Sequence, residues 1–247
     1  ITTDLLTRRT VSDITGLSRQ WTNEGELRNT GASVNVNAVL VNTKDFKWNL
    51  GFSVAHYKNE ITKLPLTENN VIRTYKLDKN AQKIASSETV LNGYTSSIYG
   101  KDNILTAVGQ AAGVFYGYKT AGVFSTTAEA KAAGLKYPTG LSSQPSRDFK
   151  AGDVHFVDQN GDGWINEADR VKIGDPNPDL YGNIFTTLNY KRFTLDVNFK
   201  YSLGNDIYNY QRMQLESANN IWNQTTAVVN RWRAEGQKTN QPRTMSP

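Results

Sequence analysis

The feature that most constrains this chain is a strict alternation of apolar and polar residues in several consecutive segments. In the clearest segment every second residue from 193 to 201 is apolar or aromatic, and the residues between them are Thr194, Asp196, Asn198 and Lys200. A period of two places successive side chains on opposite faces of a β-strand. The alternation therefore predicts a strand with one apolar face and one polar face.

The alternating segments form two predicted hairpins. The first spans residues 31–58 with a polar break at 43–45, and the second spans 182–201 with a turn at Lys191-Arg192. Alternating runs joined by so short a break are typical of antiparallel strands. The apolar face of the first hairpin carries Val34, Val36, Ala38, Leu40, Phe46, Trp48, Leu50, Phe52 and Val54. The same face of the second carries Ile184, Thr186, Leu188, Tyr190, Phe193, Leu195, Val197, Phe199 and Tyr201.

Two environments suit such hairpins. In a soluble sandwich the apolar face packs on a second sheet, and in an outer-membrane barrel it faces lipid while the polar face lines a wet lumen. Strands of about 9–11 residues are long enough to cross a bilayer when tilted. Aromatic residues lie at both ends of the strands, and very short turns alternate with very long excursions, as in membrane barrels. These features favour the barrel, with the sandwich as the alternative.

Composition narrows the classes further. The chain has no cysteine, which excludes disulfide frameworks, thiolate zinc sites and cysteine nucleophiles. It has no run approaching the roughly 18 apolar residues of a spanning helix, whereas its mean hydropathy of −0.56 is compatible with a barrel. The net charge of +5 comes from scattered Lys and Arg, so we expect no nucleic-acid partner.

The connection between the hairpins, residues 59–180, is too long to lack local structure. Residues 128–134 predict a short helix, capped by Thr126 or Thr127 and stopped by Gly134. After the second hairpin, apolar residues at helical spacing predict an amphipathic helix over about 210–234. We expect its apolar stripe to pack on the loops and not in a partner's groove.

Residues 158–169 carry the most specific motif, a twelve-residue loop rich in oxygen ligands. Calcium needs six to eight oxygens around a tight turn, which Gly163 at position 6 permits. The predicted ligands are the side chains of Asp158, Asn160, Asp162, Asn166 and Asp169 and the main-chain carbonyl of Trp164. The flanking helices of an EF-hand are missing, because residues 154–157 predict a strand. The alternative is an Asx-rich turn that folds without metal.

No residue pattern predicts catalysis. His56 and His155 are the only histidines, and neither lies near a recognisable nucleophile motif. Asp153, Asp175 and Asp179 are interpreted as solvated loop acids, since their separation cannot be obtained from the sequence. We therefore expect that the chain is not an enzyme.

Several motifs, in order along nearly the whole chain, resemble one known family. They are residues 23–31 (Asn-Glu-Gly-Glu-Leu-Arg-Asn-Thr-Gly), 108–110 with 115–119 and 122–124, 152–154 with the loop 158–169, 173–179, 204–209, and Arg231-Trp232 with Glu235-Gly236. Together they are similar to SusC/RagA-type TonB-dependent outer-membrane transporters of Bacteroidetes.

The resemblance implies an all-β fold, in which residues 1–247 are a C-terminal-half portion of a large antiparallel transmembrane β-barrel, truncated at both ends. The family's barrel has 22 strands and long extracellular loops that carry short helices; residues 59–180 would be such an excursion. The implied function is import of oligosaccharides or peptides across the outer membrane. The implied partners are membrane lipid, a SusD-like surface lipoprotein and TonB, which acts through an N-terminal part outside this sequence. The alternative is a soluble secreted glycan-binding module with a structural calcium loop.

Aromatic residues in the polar loops suggest where substrate binds. Rings that stand in polar surroundings can stack on sugar faces, and this reasoning selects Tyr116, Tyr118, Trp164 and Tyr208. The alternative for each of them is packing within the loops.

Overall fold

The computed structural model describes residues 1–10, 19–65, 71–98, 101–141, 144–217 and 222–244. Within these ranges the chain is mainly antiparallel β-sheet, as predicted. Its strands are β1 (Thr2–Thr10), β2 (Arg19–Asn42), β3 (Phe46–Lys63), β4 (Val71–Thr74), β5 (Thr89–Ile98), β6 (Lys101–Ala107), β7 (Val114–Tyr118), β8 (Thr120–Val123), β9 (Lys136–Leu141), β10 (Gln144–Asp148), β11 (Val154–Phe156), β12 (Arg170–Gly174), β13 (Leu180–Tyr190) and β14 (Phe193–Leu203).

Two α-helices, α1 (Thr127–Ala133) and α2 (Tyr210–Glu216), and short 3₁₀ turns at Ala85–Ser87, Glu167–Asp169 and Thr226–Asn230 complete the described structure. No helix in the described ranges is both long and apolar enough to cross a bilayer. That finding concerns helices only.

The predicted hairpins lie side by side in one antiparallel sheet with the strand order β1-β2-β3-β13-β14. Its register joins the apolar positions of neighbouring strands into continuous rows. One row is Val36, Phe52, Ile184 and Phe199; the next is Ala38, Leu50, Thr186 and Val197; a third is Val41, Trp48, Leu188 and Leu195. Because side chains alternate between faces, this register assembles an apolar surface four strands wide, and an irregularity between Val39 and Val41 brings Val41 into the third row.

Among the residues that the structure describes, none covers the apolar surface of this sheet. On β14 the exposed fractions are 77% for Phe193, 56% for Leu195, 47% for Val197 and 66% for Phe199. Residues sealed between two packed sheets would be almost fully buried. In the described part of the chain, no second sheet packs on these four side chains as it would in a sandwich.

Polar groups on the apolar face bond to each other or to the backbone. The Trp48 indole N–H donates to the Thr186 hydroxyl at 2.8 Å, and that hydroxyl donates to the Asn49 carbonyl at 3.1 Å. The Tyr201 hydroxyl donates to the Ser53 carbonyl at 2.9 Å. These bonds satisfy the polar groups of Trp48, Thr186 and Tyr201 within the sheet, as an environment without water requires.

The opposite face is mainly polar, although Tyr57, Tyr181 and Phe185 also lie on it. Rows such as Asn35, Ser53, Asn183 and Lys200 cross it. Thr187 donates to Asp196 at 2.6 Å and Thr194 donates to Asn189 at 2.8 Å between β13 and β14. The Phe185 ring lies across β3 in the space that a Cβ at Gly51 would fill. Gly51 therefore allows an aromatic side chain to lie flat on this polar surface.

Both predicted turns are present, and they meet at the same end of the sheet. The Thr43 side chain accepts from the Phe46 N–H at 3.0 Å, which closes the β2–β3 turn. The Lys191 N–H donates to the Asp45 carbonyl at 2.8 Å, which links the two turns. The excursion leaves from the other end, and it spans residues 64–179 instead of 59–180 because β3 continues to Lys63.

The excursion builds its own small domain. A second antiparallel sheet has the order β12-β7-β6-β5-β4, and β9–β10 and β8–β11 form separate strand pairs. One core consists of Leu105, Ala107, Val114 and Tyr116, and another of Phe124, Ala130, Leu135 and Ile165.

Helix α1 confirms its prediction. Its N-cap is Thr126, whose hydroxyl accepts the Glu129 N–H while Glu129 bonds back to the Thr126 N–H, and it ends at Gly134 in the left-handed conformation with φ of 64°. This reciprocal capping box satisfies two helix N–H groups that otherwise lack partners.

The long helix predicted over 210–234 is wrong. Helix α2 ends at Glu216, and the Thr225 N–H donates to the Leu215 carbonyl at 3.3 Å, so the chain turns back on the helix. The residues at helical spacing do not share a face: Val228 is buried whereas Trp222 is exposed. Ile221, also counted in the stripe, lies outside the described residues.

Candidate functional site

The predicted calcium loop connects β11 to β12 and is organised by its own side-chain oxygens. The Asp158 carboxylate accepts from the backbone N–H groups of Asn160 at 3.2 Å, Gly161 at 2.7 Å and Gly163 at 2.8 Å. Gly161 and Gly163 have φ values of 72° and 80°, a conformation that favours glycine. The loop therefore curls around the side chain of its first predicted ligand.

Asp169 closes the loop. Its carboxylate accepts from the Gln159 N–H at 2.9 Å and the Asn166 N–H at 2.8 Å, which ties the end of the loop to its beginning. Asp169 has no solvent-exposed surface. The carboxylate of Asp162 accepts from the Trp164 N–H and, outside the loop, from the Leu77 N–H, both at 2.8 Å.

The electrostatics of the loop are dominated by negative charge. Burial raises the pKa of the Asp169 carboxyl, backbone N–H donors from Asn166 and Gln159 oppose the rise, and the charges of Asp158 and Asp162 add to it. In the described part of the chain, no cationic side chain forms an ion pair with these carboxylates. The nearby Lys76 ammonium donates instead to the Asn160 carbonyl at 2.6 Å.

The donor set suits a hard cation such as calcium, because all its candidate ligands are oxygens. The side-chain nitrogens of Asn160 and Asn166 are buried without partners, which marks both amides as incompletely satisfied. No three His, Cys, Asp or Glu side chains among the described residues lie close enough to form a metal cluster. A loop of this kind also uses amide and main-chain oxygens, so that result concerns carboxylate clusters alone. Calcium binding stays a prediction.

The structure brings separate motifs together beside α1. The Trp232 ring lies against Gly152, where a Cβ would approach the ring carbons to 2.5 Å, and its N–H donates to the Ser125 carbonyl at 3.1 Å. The Glu235 carboxylate accepts from the Thr127 N–H at 2.6 Å, at the first turn of α1. The sequence suggested these motifs only as markers of a resemblance; the structure shows that they hold the C-terminal segment onto the excursion.

A second pair of motifs joins the excursion to the apolar sheet. The Asp175 N–H donates to the Asp206 carboxylate at 2.8 Å, and the Asp206 N–H donates back to the Asp175 carbonyl at 2.7 Å. Gly204, with φ of 82°, lies against the Asp179 side chain. These contacts fix the chain where it enters β13 and leaves β14.

Three of the aromatic candidates for substrate binding lie in the excursion, and the fourth, Tyr208, follows β14. Tyr116 and Trp164 are buried, at 8% and 4% exposure, and the Arg170 guanidinium lies 4.7 Å from the centre of the Tyr116 ring. This burial argues against a stacking role for these two residues. Tyr118 and Tyr208 remain partly exposed, so for them stacking stays a prediction.

Both of these tyrosines also pack within the loops. The Tyr208 ring is 5.9 Å from that of Phe115, and the Tyr118 ring is 5.6 Å from that of Phe156. Burial, with the nearby Glu167 charge, raises the pKa of the Tyr118 phenol to about 12.

The histidines and loop acids considered for catalysis are placed apart. The His155 ring stacks on Phe124 with centroids 4.2 Å apart, whereas the His56 Nδ1 lies 2.5 Å from the Asp179 carbonyl. Asp153 pairs with Arg243 at 2.7 Å. In the structure, His56, His155 and Asp153 therefore make packing, hydrogen-bond or ion-pair contacts and are not gathered in one place.

The Trp232 contact generates a local prediction. Trp232→Ala removes a large ring from Gly152 and leaves the Ser125 carbonyl without its indole donor, so we expect a loss of about 2–3 kcal/mol in the local stability of this docking. Hydrogen exchange of the amides at residues 124–134 and 149–153 should accelerate. The control is Trp222→Ala, at a residue 70% exposed, which should leave these rates unchanged. Equal rates in both variants would show that Trp232 does not hold the segment.

Comparison with known proteins agrees with the motifs. No family model matches the sequence. TonB-dependent receptor P3 of Formosa agariphila is 30% identical over 242 residues, which cover 98% of this chain and 21% of the relative. TonB-dependent receptor SusC of Bacteroides thetaiotaomicron is 26% identical over 208 residues, covering 84% of this chain and 17% of the relative.

The fold has solved counterparts. The structure of the RagAB peptide transporter matches with a TM-score of 0.62 and 19% identity, over 99% of this chain and 23% of that chain. This likeness supports the antiparallel fold, and the number of strands in a complete barrel stays an expectation. The chain spans about a fifth of the length of the curated relatives it matches. As the motifs predicted, the chain is similar over nearly its whole length to TonB-dependent receptors, SusC among them.

Proposed function

We propose that the chain is the barrel portion of an outer-membrane importer, in which the five-stranded sheet faces lipid on one side and an aqueous lumen on the other. The observation that carries the proposal is the uncovered apolar surface of β2, β3, β13 and β14, backed by a polar face. A bilayer solvates such a surface, whereas water does not. The same exposure weighs against the soluble secreted module.

The proposed activity is TonB-dependent import of oligosaccharides or peptides, in cooperation with a SusD-like surface lipoprotein. It is supported by relatives named TonB-dependent receptors and by the likeness to a transporter named for peptides. Contact with TonB would use parts of the protein outside this sequence. The excursion of residues 64–179 leaves the sheet at the end opposite the short turns, which is where extracellular loops lie in such barrels. We assign no catalytic role to the chain.

Adjacent residues at the middle of β14 test the membrane orientation. Val197→Arg places a charge on the apolar face, and we expect it to cost about 2–4 kcal/mol and to lower the amount of folded receptor in outer membranes. Asn198→Arg, one residue away on the polar face, should be tolerated. The measurements are the yield in isolated outer membranes and urea unfolding in lipid vesicles. Equal sensitivity at both positions, or receptor that remains monodisperse in buffer without detergent, would contradict the proposal.

We also propose that residues 158–169 bind one structural calcium ion. The buried Asp169, the inward-curled Asp158 and the unpaired negative charge of the loop support it. Side-chain oxygens of Asp158, Asn160, Asp162, Asn166 and Asp169 and the Trp164 carbonyl would hold the ion. Its charge would offset the repulsion among the three carboxylates. Because Asp162 also accepts the Leu77 N–H, the ion would steady the neighbouring segment as well.

The calcium proposal predicts a metal-dependent stability. Calcium should raise the melting temperature of the purified receptor, and Asp158→Ala combined with Asp162→Ala should abolish the rise, because both carboxylates are removed. The matched control is Glu167→Ala, which removes an acid from the same loop at a position outside the ligand set. A receptor equally stable in calcium and in chelator would show that the loop folds without metal.

A further inference from the structure

A cleft of about 920 Å³ lies between the excursion and the C-terminal segment, and Ile165 of the predicted calcium loop contributes to its lining. It is lined by residues of the β9–β10 strand pair, by Tyr118 and Phe156, and by Pro242 and Arg243. This volume is within the range of sites that enclose small ligands or short segments of chain. The residues that line the cleft are far apart in sequence, so no local sequence motif predicted it.

The cleft has an aromatic wall that is rigidly supported. The ring centroids run from Tyr118 to Phe156 at 5.6 Å, to Phe149 at 6.0 Å and to Tyr137 at 5.3 Å. Three of these rings pack against the buried cluster around Phe124. The rings are tilted by 57–66° to one another and do not form a flat platform. Tilted rings make a concave surface for an apolar side chain, whereas a sugar ring stacks best on a flat one.

Strand β10 turns its edge toward the cleft. In the described ranges it pairs with β9 alone, so its other edge is open. Ser146, Arg147 and Asp148 all line the cleft. Since successive side chains of a strand point to opposite faces, lining by consecutive residues means that the main chain itself borders the space. An open edge of this kind can take an additional extended strand.

The charges around the cleft favour an anionic occupant. The charge of Asp153 is neutralised by Arg243, with 2.7 Å between the two groups. Arg147 and Lys150 are exposed, and among the described residues neither has an ion-pair partner. Arg147 lies opposite Tyr137 in the β9–β10 register, which places a free cation beside the aromatic wall. Asp148 also lines the cleft and lies opposite Lys136 in the register, so the lining carries three cations against two anions.

We propose that this cleft binds an extended acidic peptide segment, which adds to the open edge of β10, places carboxylates on Arg147 and Lys150, and packs an apolar side chain on the aromatic wall. The role of the cleft in substrate capture rests on the proposed import function. Binding itself does not, because it is measured on purified receptor. A receptor that binds but fails to import would refute the import function and leave this site intact.

The test is calorimetric titration of the full-length receptor in detergent with four probes. They are a blocked peptide of alternating Glu and Phe, its Lys and Phe counterpart, the acidic peptide with alternate amides N-methylated, and trigalacturonic acid. We expect the acidic peptide to bind, the basic one not to, and N-methylation to weaken binding roughly tenfold or more through lost main-chain hydrogen bonds. Arg147→Glu should weaken the acidic peptide and strengthen the basic one. Lys136→Glu, a charge reversal on the other face of the strand pair, should change neither.

Three results would overturn the proposal. Undiminished binding of the N-methylated peptide would refute strand addition. Tighter binding of trigalacturonic acid than of the acidic peptide would assign the cleft to acidic sugars instead. Equal effects of Arg147→Glu and Lys136→Glu would show that the free cation beside the aromatic wall has no specific role.

Discussion

The structure depends on the register that joins four alternating strands. Because β3 pairs with both β2 and β13, and β13 pairs with β14, residues of like polarity fall in the same rows across the sheet. A shift of one residue in any pair would place its apolar side chains on the polar face. The rows also pair the backbone groups of neighbouring strands, which leaves the apolar face with side chains that lipid can solvate. The sheet thus has one face suited to lipid and one face suited to water. The position of the excursion depends on this sheet, because the excursion connects β3 to β13.

The excursion contacts both the sheet and the C-terminal segment. The reciprocal bonds between Asp175 and Asp206 fix the chain at the end of the sheet, and the Trp232 ring of the C-terminal segment lies on Gly152 of the excursion. Glycine is needed at residue 152 for two reasons, since its φ is 83° and the ring occupies the space of a Cβ. Several motifs that identify the family therefore have a structural explanation in packing.

The sequence predicted the elements whose signals are local and repeated. Alternation over whole strands identified β3, β13 and β14, and the Thr126–Gly134 signals identified α1. The helix over 210–234 was wrong because apolar residues at helical spacing were recruited by different partners: Val228 is buried, whereas Trp222 is exposed. The burial of Tyr116 and Trp164 could not be predicted from the sequence either, since it arises from strands and loops that are distant in sequence. The aromatic cleft, built from residues 118–243, was missed for the same reason.

The most direct test of the account is to measure which medium touches each residue of β14. The chain has no cysteine, so single cysteines with a spin label can be introduced from 195 to 200 in the full-length receptor in lipid vesicles, on a background without other cysteines. Labels at 195, 197 and 199 should collide with oxygen dissolved in the bilayer, and labels at 196, 198 and 200 with a water-soluble nickel complex. Alternation with a period of two would agree with a lipid-facing sheet. Uniform exposure to the nickel complex, or protection of 195, 197 and 199 from both reagents, would contradict it.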